Sequence, residues 1–77
     1  MKLGKALKII KSGHFTVFVH QKGYIRRRKQ GSDETCMEII EISRDKKGKL
    51  PPVIKYADKP VREIIPHSSG VNLTIEI

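Results

Sequence analysis

Phe18, Tyr24 and the unbroken run Arg26, Arg27, Arg28 and Lys29 place two kinds of chemistry in one short stretch of the chain. Arg and Lys in a row neutralise successive phosphates, and aromatic faces accept stacked bases, each worth about 1–3 kcal/mol on truncation. Lys8, Lys11 and Lys22 extend the same basic character upstream. A plainer account has Phe18 packed into the core and the arginines forming a solvated face, since most large apolar groups are buried. The pattern carries no helix-turn-helix, zinc-finger or RNP signature, so it points to phosphate contact without base-specific readout.

Other reactive residues form no comparable constellation. His14, His20, Cys36 and His67 are all acceptable metal ligands, but none share a two- or three-residue spacing. His14 and His20 would fall on one face of a strand, about 20 Å apart by strand rise. Cys36 would act as a nucleophile only beside a positioned histidine; within an apolar strand it reads as a small hydrophobe. Glu38, Glu41 and Glu63 have apolar or basic neighbours, and Glu38 and Glu41 fall on opposite faces of a strand. Neither Gly23 nor Gly31 belongs to a phosphate-cradling loop. The expectation is a non-catalytic module with no cofactor and no metal.

Charge sharpens the question of partner. Of 16 basic and 8 acidic residues, the first 29 positions hold nine Lys or Arg and no acid, while residues 30–77 nearly balance. Such segregation implies a positive surface for nucleic acid, DNA or RNA, or for an acidic protein. A competing role is protein binding or self-assembly through an exposed edge, with Val71 to Ile77 as the candidate strand. The lysine-rich N-terminal segment lacks the Trp and Phe of a membrane-surface helix, so no membrane partner is expected. One cysteine and the lack of a secretory leader make the cytoplasm the expected location.

The elements that must position these groups follow from periodicity. Seventy-seven residues make one domain, whose core must come from Ile, Val and Leu because Trp is absent and the aromatics are few. Leu3, Ala6, Leu7 and Ile10 recur at helical spacing, predicting a helix over 2–12 that stops at Gly13. Residues 14–29 read as a hairpin turning at Gln21, Lys22 and Gly23, in the register that pairs His20 with Tyr24 and Val19 with Ile25. That register sends Phe15, Val17, Val19 and Ile25 inward and leaves Thr16, Phe18, His20, Tyr24, Arg26 and Arg28 on the other face.

Residues 35–43 admit either helix or strand; the β-branched Ile39, Ile40 and Ile42 favour strand. Further strands are expected near 53–56, 61–65 and 71–77, with Pro66 ending the second or confining it to an edge. The predicted architecture is α+β: a short N-terminal helix on a mainly antiparallel, curved sheet of about five strands, with a small, partly closed β-barrel as the alternative. On this frame the binding residues are Lys8, Lys11, Phe18, Lys22, Tyr24, Arg26, Arg27, Arg28 and Lys29.

Overall fold

The computed structural model describes residues 1–22 and 36–77. In it Leu3, Ala6 and Leu7 form the buried stripe of a helix, α1 (Leu3–Ile9), shorter than the 2–12 expected. Ile10 leaves the helix in an extended conformation and packs its side chain, half-buried, against the core. Ile9, off the stripe, stays exposed.

Seven residues are too few to persist as a free helix in water, and both ends of α1 are held by distant chain. At the N-terminus Lys2 supplies no side-chain cap. Instead the Leu3 N–H donates to the Lys59 carbonyl and the Gly4 N–H to that of Ala57, each at 2.9 Å. At the C-terminus Arg44 Nη2 donates to the Leu7 carbonyl at 2.6 Å and to that of Ile10 at 3.2 Å. A cation there also suits the negative end of the helix dipole.

Four strands are described: β1 (His14–His20), β2 (Cys36–Ser43), β3 (Val61–His67) and β4 (Gly70–Glu76). They form an open sheet in the order β2-β1-β4-β3, which corrects the expected count of about five and sets aside the closed barrel. The sheet is mixed: β1 runs antiparallel to β2 but parallel to β4, and β3 is antiparallel to β4. Both sides of β1 are therefore occupied, with Val19 facing Glu38 on one side and Ile75 on the other. The expected pairs Val19 with Ile25 and His20 with Tyr24 are replaced at β1 by these partners. The second hairpin arm, 24–29, lies outside the described residues.

Residues 53–56, expected as a strand, belong to an irregular stretch that turns over 55–58. Pro51 and Pro52 withhold two ladder donors just before it, and Tyr56 adopts a left-handed backbone (φ 63°) that ends any extended run. Its apolar residues still contribute: Leu50, Ile54 and Tyr56 pack against the core beside α1. Glu38 anchors the segment, accepting from Lys55 Nζ at 3.0 Å and from the Tyr56 hydroxyl at 3.3 Å. The hydrogen bond to Glu38 raises the Lys55 pKa. This contribution is complete below the ordinary lysine pKa and is lost as pH climbs through the raised one.

The core lies between α1 and one face of the sheet, built from Leu3, Leu7, Phe15, Val17, Val19, Ile42, Val71, Leu73 and Ile75. The strand alternation that aims them is the period-2 pattern of β1 and β4. The β4 strand lies inside the sheet, so the expected edge at Val71 to Ile77 is an interior strand; among the described strands the edges are β2 and β3. Pro66 fits within β3 because an edge strand needs only one side of its amides for the ladder. Ser68 and Ser69 close the β3–β4 hairpin, and Gly70 follows where a Cβ would stand 2.6 Å from the His14 carbonyl oxygen.

Arg44 joins these parts. Besides the two helix carbonyls, its Nε donates to the Ser12 carbonyl at 2.9 Å and Nη1 to that of Gly48 at 3.0 Å. Its guanidinium also lies over the Phe15 ring, 5.9 Å from the centroid. Replacing Arg44 by Met is expected to lower unfolding free energy by about 2–4 kcal/mol in urea titrations, as a charged donor network is lost. Arg44→Lys should recover little of this, because an ammonium cannot reproduce the planar fork; full rescue by Lys would contradict the assignment.

Candidate functional site

Of the residues expected to bind, the four that are described, Lys8, Lys11, Phe18 and Lys22, do not share one surface. Lys8 and Lys11 are exposed around the C-terminal end of α1, where the chain enters β1. Phe18 is half-buried on the sheet face opposite the helix, in register with Ile39 of β2 and Thr74 of β4. Lys22 is exposed beyond the far end of β1, where its N–H donates to the Ile77 carbonyl at 3.0 Å. About 20 Å of strand separates that end from Lys11. Tyr24, Arg26, Arg27, Arg28 and Lys29 lie outside the described residues, as does the face they were expected to share with Thr16, Phe18 and His20. His20 itself is buried, opposite Cys36 and Glu76 in the sheet.

What the fold does assemble is a basic corner. Lys8, Lys11 and Arg44 line one depression of about 420 Å³, together with Ser12, Gly13 and Gly48. A second, of about 480 Å³, shares Lys11, Ser12 and Gly13 and continues past His14 to the hairpin at His67, Ser68 and Ser69. Among the described residues no carboxylate lines either one. Asp45, next along the chain, uses Oδ1 to accept the N–H groups of Lys47 at 2.9 Å and Lys49 at 2.8 Å. The turn thus held together presents Lys46, Lys47 and Lys49, all exposed, beside the corner.

Arg44 was absent from the expected binding residues. In sequence it is one cation at a strand end, and only the tertiary fold brings it to Lys8 and Lys11. Its hydrogen bonds go to carbonyl oxygens, and among the described residues none is given to a carboxylate. A fixed guanidinium beside two exposed ammonium groups makes a surface that attracts anions.

A second cluster lies on the face of the sheet opposite α1. The Ser43 hydroxyl and His14 Nδ1 are 2.8 Å apart, and His14 Nε2 contacts the Glu41 carboxylate. Thr16 also donates to that carboxylate, at 3.2 Å. The order hydroxyl, imidazole, carboxylate matches that of a hydrolytic relay. Such a relay also needs donors for a developing oxyanion. The amide that follows Ser43, the Arg44 N–H, donates instead to the Gly13 carbonyl at 2.9 Å. Cys36 is half-buried and its thiol lies 3.6 Å from the Glu38 carbonyl, away from this cluster.

No family model, curated protein or solved structure matches the chain. The Ser43 arrangement is expected to be structural, and Ser43 should stay unlabelled by a fluorophosphonate probe followed by mass spectrometry. Labelling of Ser43 that vanishes in His14→Ala would instead make the relay catalytic.

Proposed function

We propose that the chain is a small, non-catalytic module that binds nucleic acid through its phosphates, with little sequence preference. The observation that carries this reading is the corner formed by Lys8, Lys11 and Arg44, which no carboxylate lines among the described residues, flanked by the turn bearing Lys46, Lys47 and Lys49. Phosphate contact needs positive groups that are not already neutralised, and this corner supplies them. The net charge of +8 adds a long-range field that speeds encounter with a polyanion. Tyr24 and the cations at 26–29 remain part of the proposed surface on sequence grounds.

Fluorescence anisotropy with single- and double-stranded oligonucleotides at several salt concentrations tests the proposal. Replacing Lys8 and Lys11 together by Gln should weaken binding to all sequences alike and flatten the log–log salt slope by roughly 1.5–2. Binding indifferent to salt would overturn it.

A second reading draws on β2. Among the described strands this one lies at a sheet edge, and it carries Met37 and Ile39, which are 56% and 57% exposed. Exposed apolar side chains on an edge strand favour pairing with another protein or a second copy. Size-exclusion chromatography with light scattering should then report a dimer that Ile39→Lys dissociates; a monomer at high concentration would remove self-association.

A further inference from the structure

We infer that the two adjoining depressions form one site for the phosphorylated end of a nucleic-acid strand. The terminal phosphate monoester lies against Lys8, Lys11 and Arg44, and the terminal nucleoside crosses Gly13 toward His67 and Ser69. The inference rests on the nucleic-acid reading and narrows it to a feature of the strand.

Charge is the first argument. A phosphate monoester carries about −1.5 to −2 at neutral pH, whereas an internal diester carries a single negative charge. Three cations around one depression, without a lining carboxylate, match the more highly charged group. The helix end would ordinarily oppose an anion here, since its free carbonyls are partially negative. Arg44 covers those of Leu7 and Ile10, so the opposing dipole is already offset before any ligand arrives.

Geometry is the second. A guanidinium has five N–H groups. Arg44 directs four bonds to the carbonyls of Ser12, Gly48, Leu7 and Ile10, which leaves one N–H on Nη1. The group is therefore held in place yet keeps donor capacity, and little conformational entropy remains to be lost on binding. The 45–48 turn and the end of α1 flank the basic depression, while the way past Gly13 leads out of it.

Room is the third. A Cβ placed on Gly13 would meet none of the described residues within 4 Å, which leaves room above this backbone for a sugar or base. The polar depression beyond it offers the Ser68 and Ser69 hydroxyls as hydrogen-bonding groups beside the His67 ring. Its volume of about 480 Å³ is of the size that small ligands occupy. The His67 ring is itself oriented, with Nε2 at 2.9 Å from Asn72 Oδ1 and Nδ1 at 3.0 Å from Ser69 Oγ.

The test compares one single-stranded oligonucleotide sequence in three forms: 5′-phosphorylated, 3′-phosphorylated and with both ends unmodified. Anisotropy at fixed salt should show a phosphorylated form binding about fivefold or more tightly than the unmodified strand, from its extra ionic contacts. Lys8→Gln with Lys11→Gln should abolish that ratio. Gly13→Leu, which adds a side chain between the two depressions and leaves the core alone, should abolish it while preserving the thermal midpoint. Equal affinity for all three forms, with salt-dependent binding retained, would overturn the inference and leave the nucleic-acid reading standing. No binding of any form would overturn that reading itself. Inorganic phosphate that shifts the Lys8 and Gly13 NMR signals, in a protein indifferent to strand-end phosphate, would assign the site to the free ion and overturn the strand-end inference.

Discussion

A helix of seven residues exists in this protein because a single guanidinium closes its end. Arg44 ties α1, the Ser12 carbonyl before β1 and the 45–48 turn into one unit, and it lies over the ring of Phe15, a fully buried side chain. Apolar burial supplies the driving force for folding, but burial is non-directional. The directional bonds are what set the angle at which the helix leaves the sheet. At the opposite end of α1 the carbonyls of Ala57 and Lys59 do the same work without any side chain. Held at both ends, the helix can give Leu3, Ala6 and Leu7 wholly to the core and leave its lysines to solvent.

The same arrangement produces the basic corner. Lys8 and Lys11 fall where α1 gives way to β1, and Arg44 arrives there to satisfy carbonyls. Structure and charge thus converge on one place for different reasons. The lysines bear no load in the core, whereas the arginine is both a structural brace and a source of potential. Among the described residues the basic side chains of the first segment do not gather on one face, since Lys22 sits at the other end of β1.

Local pattern was legible and partnership was not. The stripe of Leu3, Ala6 and Leu7, the inward set Phe15, Val17 and Val19, and the alternation through Val71, Leu73 and Ile75 all follow from side-chain period. Which strand lies beside which does not follow from period. An interior parallel pairing of β1 with β4 leaves no trace in either segment, because a buried strand reads alike next to any neighbour. The turn expected at Gly23 from local turn chemistry lies outside the described residues. At 53–56 the composition of a strand was present, but two prolines upstream and the left-handed Tyr56 outweighed it. For the site, Lys8 and Lys11 were visible as cations on one side of a helix. Arg44 was invisible, since its meaning lies in carbonyls more than thirty residues away.

The parallel pairing of β1 with β4 also governs how this molecule comes into being. Phe15 meets Val71 across 56 positions of chain, so the centre of the sheet is assembled from its most distant parts. Each doubling of a loop adds only about 0.6 kcal/mol to the entropy of closing it. The larger effect is on speed, because distant contacts must be found before they reward the search. The β3–β4 hairpin, closed by two serines, pairs residues that are close in sequence. The other side of β4 is completed only by an encounter with the N-terminal strand. The rate of that encounter, more than the strength of any one contact, sets how long the unsealed core of Leu73 and Ile75 stays open to other chains.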